Sequence, residues 1–234
     1  MKVALLLFGQ PRFLNDSRVV ESFNYLKSKF DLDVFCHTWW SKEENTYTCS
    51  DWTNIKDCPV NENAIEIIKN IYKPKKLKWE PSRTFKTNSE INKFILNKFP
   101  NHSLWTEKHA NNIQSQLYSI QSVSRLFEKY KQDYDFVILD RFDTYLKIEE
   151  DISQLPRDAF YLSNIHQRFP DMIFMYGTKF LDWSSNVYDD FSDPNVYQNV
   201  WEPICEPFKF YSFYKRFDLK QAFQINIDSI AVRQ

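Results

Sequence analysis

The sequence predicts an α/β fold with a mostly parallel central sheet flanked by helices. Three observations carry that expectation. The first is a continuous apolar run from Val3 to Phe8 (VALLLF). A strand with no polar alternation is buried on both faces, as in parallel sheets. The second is the pattern that follows it. Val19, Phe23, Leu26 and Phe30 recur at spacings of 4, 3 and 4, and the apolar stretch Asp33 to Thr38 (DVFCHT) comes directly after. The spacing marks one stripe of an amphipathic helix, so strand, helix and strand form a βαβ unit, parallel and right-handed. The third is repetition of the theme. Asn111 to Tyr130 places Ile113, Leu117, Ile120, Val123, Phe127 and Tyr130 on one helix face and leads into the apolar run Phe136 to Leu139. Strands alternating with helices imply a sheet covered on both sides.

The remaining elements follow in order. Residues 41–60 are polar and read as a loop, and Glu62 to Tyr72 reads as a short helix stopped by Pro74. A strand is expected over Leu77–Glu80, an amphipathic helix over 89–99, and strands over Ala159–Ser163 and Met172–Tyr176. The last third is crowded with aromatic residues. No repeat, low-complexity tract or Pro/Ser-rich linker divides the chain, so one domain over residues 1–234 is expected.

Composition excludes several function classes. Only two glycines occur among 234 residues, Gly9 and Gly177, where an average composition would give roughly 16. A Walker A loop or a G-x-G-x-x-G fingerprint cannot be built from them. The shortage also fits an AT-rich coding genome, viral or bacterial. Hydrophobic residues are 43%, aromatic 18% and charged 26% of the chain, so it is globular. The net charge of −1 gives no bulk attraction for nucleic acid. No apolar run is long enough to span a bilayer. No cleavage site follows the first run, so a cytoplasmic protein without a signal peptide is expected. Four cysteines are then reduced thiols. Cys36, His37, Cys49 and Cys58 lack the C-x-x-C spacing of a structural zinc site.

In open α/β sheets ligands bind beyond the carboxyl ends of the strands. The run FVIL continues as Asp140-Arg141-Phe142-Asp143-Thr144. Two carboxylates at a strand end suit a hard divalent cation, Mn²⁺ or Mg²⁺, shared with substrate phosphates. Arg141 suits a phosphate directly. The alternative is that both aspartates only shape a turn. The first strand ends in Gly9-Gln10-Pro11-Arg12, either an ordinary βα turn or a ligand loop in which Arg12 reaches phosphate. The second ends in His37-Thr38-Trp39-Trp40, where a Trp can stack on a base or fill the core, and His37 can be a ligand contact or a satisfied buried histidine. On the helix before FVIL, Gln114, Tyr118 and Gln121 share a face.

GQPR, DVFCHTWW, the helix NNIQSQLYSIQSVSRLFEKY, DYDFVILDRFDTYL and PDMIFMYGT occur in that order over roughly residues 1–180. This series resembles the GT-A-type nucleotide-sugar glycosyltransferases, especially small viral and bacterial polysaccharide transferases. Members usually carry Asp-x-Asp at the end of such a strand; here two residues separate Asp140 from Asp143, and Arg141-Phe142-Asp143 matches the Arg-x-Asp of some relatives. The resemblance implies a GT-A-like (Rossmann-like) domain with a nucleotide-sugar-binding half (1–145) and an acceptor-side half (146–234). It implies a hexosyl- or deoxyhexosyl-transferase that moves sugar from a nucleotide diphosphate sugar to a glycan or lipid-linked acceptor, in the cytoplasm or peripheral to a membrane. Asp140 and Asp143 would hold Mn²⁺ or Mg²⁺, Gly9, Gln10 and Arg12 would contact the nucleotide, and Gln114 and Gln121 would shape the donor pocket.

An inverting transferase needs a base for the acceptor hydroxyl. Asp171 and Glu206 are the candidates, with Glu202 behind them. Trp183, Tyr188, Trp201 and Tyr211 either line an acceptor groove or lie in the core. Gly9 and Gly177 are expected to mark two sides of one cleft, so that Val at either would damage binding more than stability. Two other functions stay open: a sugar-phosphate nucleotidyltransferase, and a carbohydrate-binding module on a degenerate transferase fold.

Overall fold

The computed structural model describes residues 1–43, 46–47, 58–59, 61–86, 89, 93, 107–163, 173–191, 222–225 and 227–231. In chain order these form β1 (Lys2–Gly9), α1 (Ser17–Lys29), β2 (Asp31–Trp39), the short pair β3 (Thr46–Tyr47) and β4 (Cys58–Pro59), α2 (Ala64–Tyr72) and β5 (Lys76–Glu80). Then come α3 (Glu107–Phe127), β6 (Phe136–Arg141), β7 (Thr144–Ile148), β8 (Phe160–Ser163), β9 (Ile173–Gly177), α4 (Leu181–Phe191), β10 (Ala222–Ile225) and β11 (Ile227–Ala231). Seven strands make one sheet in the order β10-β8-β9-β6-β1-β2-β5. β1 lies between β6 and β2 and runs parallel to both. That is why Val3 to Phe8 are all buried: each residue faces a helical layer on one side or the other.

The two faces of β1 feed separate cores. Val3, Leu5 and Leu7 pack with Val19, Phe23 and Leu26 of α1 and Ile65, Ile68 and Tyr72 of α2. Ala4, Leu6 and Phe8 pack with Ile113, Leu117, Ile120 and Val123 of α3, and α4 joins them through Trp183 and Val187. The Asp16 carboxylate accepts the Arg18 N–H at 2.9 Å to cap α1, and Lys27 and Lys29 sit at its negative end. Helix α2 stops where Lys73 takes a left-handed conformation (φ 46°) just before Pro74.

The sheet is mostly parallel, as the sequence predicts: of the seven described strands β9 alone runs antiparallel to its neighbours, β6 and β8, and burial on both faces makes an antiparallel strand read like a parallel one. TYLKI, to which the sequence reading assigns no element, is β7, paired with β11 and fastened to α1 by Ser22, whose Oγ donates to the Leu146 carbonyl (2.9 Å) and accepts its N–H (2.8 Å). The polar segment 41–60 contains the β3–β4 ladder. Most of the helix expected over 89–99 lies outside the described residues.

The two glycines do not mark one cleft. Gly9 ends β1 beside Thr38, whereas Gly177 pairs with Phe136 at the start of β6, the opposite end of the sheet. Gly177 is needed because a Cβ there would lie 1.5 Å from the Arg157 carbonyl oxygen. Its requirement is packing, not ligand approach.

Candidate functional site

Strand order reverses about β1. From β1 the chain crosses through α1 to β2 and through α2 to β5, then returns over the other face through α3 to β6. The carboxyl ends of β1 and β6 therefore flank a crevice at a topological switch point, where open α/β sheets bind ligands. Two sequence-distant loops meet there. An Arg12 Nη2 stands 2.7 Å from Asp143 Oδ2. Arg141 grips the same carboxylate with both arms of its fork, Nε to Oδ1 at 2.8 Å and Nη2 to Oδ2 at 2.7 Å. Phe142 sets the turn between them by burying its ring edge-on to Tyr72.

Burial ranks these groups in an informative way. The Asp143 side chain is 6% exposed, against 15% for Arg12 and 21% for Arg141. Both arginine side chains are thus more exposed than the carboxylate they share, although Arg12 Nε itself is buried. Burial alone would raise Asp143, but the charges of Arg141 and Arg12 outweigh it and hold the carboxyl below its usual range. Asp140 lies under the opposite face of the strand. It accepts the Arg141 N–H (2.8 Å) and the Thr144 hydroxyl (2.6 Å), which only partly offset burial, so its carboxyl is pushed up to about 7.

The loop after β1 is held in an unusual shape. Gly9 has φ 97° and Phe13 φ 56°, so two of five residues are left-handed. A Cβ at Gly9 would meet nothing within 4 Å, so the demand is conformational. Gly9→Ala is accordingly expected to cost about 1–2 kcal/mol from backbone strain alone, a loss that chemical denaturation will measure. Both backbone groups of Gly9 are tethered: its N–H donates to Ser119 Oγ (2.9 Å), and its carbonyl accepts from Thr38 Oγ1 (2.9 Å).

Ser119 continues into a buried relay. With the Gly9 N–H on its oxygen, its hydroxyl hydrogen points to His37 Nδ1 (2.7 Å), and His37 Nε2–H then donates to Glu80 Oε1 (2.8 Å). Glu80 is also paired with Lys78 at 2.9 Å and with Arg83. The order Ser–His–Glu resembles a nucleophile relay, but Ser119 is fully buried and its oxygen already serves Gly9. It positions the loop. His37 likewise has both nitrogens engaged and no exposed surface, so of its two readings it fits the satisfied buried histidine, which supports the crevice, and not the ligand contact. Cys36 faces the α1–α2 core while His37 faces α3, so these neighbours cannot share a metal.

The relay predicts an acid-sensitive fold. Burial, only partly opposed by the Glu80 hydrogen bond, lowers His37 to about 4. An imidazole depressed from about 6.5 in the unfolded chain stabilises the fold above that pH, and the contribution fades as pH falls towards 4. Its full size is about 3 kcal/mol at 1.36 kcal/mol per pKa unit. Glu80, with burial outweighed by His37 and Lys78, is held at about 2 and adds a loss only in stronger acid. Lys78, Arg83 and Glu80 from the β5 side are the charges facing the ring, and α3 presents the neutral Ser119 and Tyr118. Urea unfolding of wild type should weaken between pH 7.5 and 4.5 by much more than that of His37→Gln. Equal slopes would remove His37 as the cause.

Other expected contacts are elsewhere. Gln121 Oε1 accepts the N–H groups of Tyr188 (3.0 Å) and Asp189 (3.1 Å), and its Nε2 donates to Asp189, so it ties α3 to α4. Gln114 is buried and donates to the Ala110 carbonyl in its own helix. Trp39 is 2% exposed and stacks on Tyr118, and Trp40 is buried with its Nε1 on the Asn61 carbonyl. Neither is placed to stack on a base. Trp183 is core. Gln10 is half-buried in the β1 loop, beside the crevice. Asp171, Glu202, Glu206, Trp201 and Tyr211 lie outside the described residues.

The implied Mn²⁺ or Mg²⁺ can be tested against these residues. A carboxylate has about four lone-pair directions, and guanidinium nitrogens take three of them on Asp143. Among the described residues no three of His, Cys, Asp and Glu gather into a cation site. As arranged, the pair of aspartates does not fit a metal. It fits two arginines.

No protein-family model matches the chain, and no curated protein matches it. Among solved structures, a glycosyltransferase involved in the glycosylation of the major capsid of PBCV-1 aligns over 97% of this chain and 82% of its own, at 8% identity and a TM-score of 0.41.

Proposed function

We propose that the chain is a glycosyltransferase of GT-A type that binds a nucleotide diphosphate sugar in the crevice between β1 and β6. One observation carries this reading: Arg12 and Arg141 converge on Asp143 at the switch point of the sheet, their side chains more exposed than the carboxylate between them. Paired guanidiniums recognise phosphate oxygens bidentately. In glycosyl transfer the bond from the anomeric carbon to the diphosphate breaks, the acceptor oxygen forms the new bond, and negative charge grows on the departing diphosphate. Positive groups fixed beforehand where that charge appears stabilise the transition state. Gln10, next to the tethered Gly9, would contact the nucleoside. The acceptor, a glycan or a lipid-linked sugar, would lie towards the β9 side, with Asp171 or Glu206 as its base. No helix among the described residues is long and apolar enough to cross a membrane.

The test is a thermal-shift panel of UDP, GDP, CDP and dTDP and their sugars, with and without Mn²⁺. Stabilisation by one nucleotide family supports the reading. Stabilisation by free glycans alone would instead make the chain a binding module. Pyrophosphate release from a nucleoside triphosphate and a sugar phosphate would make it a nucleotidyltransferase.

A further inference from the structure

We infer that Arg12 and Arg141 take the place of a divalent cation at the diphosphate, and that Asp143 is their anchor and not a metal ligand. This rests on the nucleotide-sugar reading above and specifies how that site handles charge.

Three features point the same way. The first is occupancy: guanidinium nitrogens of Arg12 and Arg141 take three of the roughly four lone-pair directions of Asp143. The second is layering: the anion is the most buried of the three, so an incoming ligand meets the arginine side chains before the carboxylate. An exposed metal ligand would be layered the other way. The third is preorganisation. Arg141 is fixed by its own bidentate pairing two residues along, while Arg12 comes from a loop whose root is tethered through Gly9, Thr38 and Ser119. Side chains held before the ligand arrives lose little entropy on binding. A Mg²⁺ or Mn²⁺ about 2.1 Å from Asp143 would have to share each oxygen with a guanidinium, which places like charges in contact.

The probe is inorganic pyrophosphate beside UDP, GDP, CDP and dTDP, titrated calorimetrically into the wild-type chain in EDTA and then in Mn²⁺. Pyrophosphate and one of the nucleotides should bind in EDTA, within about threefold of the affinity in Mn²⁺, and Arg12→Gln or Arg141→Gln should each weaken that binding by about tenfold or more. Binding that vanishes in EDTA and returns with Mn²⁺ overturns the inference, as does no pyrophosphate binding at all. If pyrophosphate binds in EDTA while no nucleotide does, the arginine pair stands and the glycosyltransferase reading falls. The wild-type comparison needs no variant to fold.

Discussion

Gly177→Ala is expected to lower the unfolding free energy by about 3 kcal/mol or more while leaving ligand affinity of the folded fraction unchanged. The new methyl group would sit 1.5 Å from the Arg157 carbonyl oxygen and 2.6 Å from its carbon. Those are backbone atoms, and the segment holding them cannot easily retreat. Arg157 is paired with Asp135 at 2.6 Å, the Tyr161 hydroxyl donates to the Pro156 carbonyl at 2.7 Å, and the Gly177 N–H donates to the Ala159 carbonyl at 3.0 Å. Relief therefore requires breaking several contacts at once. Affinity should be spared because Gly177 pairs with Phe136, four residues before Asp140 along β6, roughly 13 Å at strand rise. Guanidinium unfolding and pyrophosphate titration of the same sample read the two effects separately. A variant that folds as well as wild type but binds poorly would restore Gly177 to the crevice.

Much of this was legible in the sequence because apolar periodicity reports the face a residue buries. β1, α1, β2, α3 and β6 were readable within a few residues, and with them the neighbouring strand ends that carry Gly9 and Arg141. The direction of β9 was not, because a strand buried on both faces carries no trace of its orientation. Glu80 ends a lysine-rich strand, KPKKLKWE, and its signal was being the one acid there. Ser119 and His37 sit one step from apolar neighbours, and their mutual contact links residues 82 positions apart; no local pattern encodes that. The aspartates show the same limit. Spacing brought Asp140 and Asp143 to one strand end, but only the fold shows Arg12 arriving from the far side of the chain to occupy Asp143.

That arrival makes Asp143→Ala the most informative substitution in the crevice. It leaves two partly buried guanidiniums without the carboxylate they share, and losing one partner of a buried pair typically costs about 3 kcal/mol. Asp143→Asn should cost less, since its amide oxygen still accepts from one arginine. The double variant Arg12→Ala/Asp143→Ala should be less destabilised than the two single losses combined, by about 1–3 kcal/mol, because the second removal takes away a charge the first had orphaned. Pyrophosphate affinity should fall with stability in Asp143→Ala, as the arginines lose their fixed positions. A carboxylate pair built for a metal behaves in the opposite sense. Without the ion, deleting one of two neighbouring aspartates relieves like-charge repulsion and leaves the fold as stable or more so. Denaturation of the metal-free single and double variants thus separates anchor from ligand by the sign of one number.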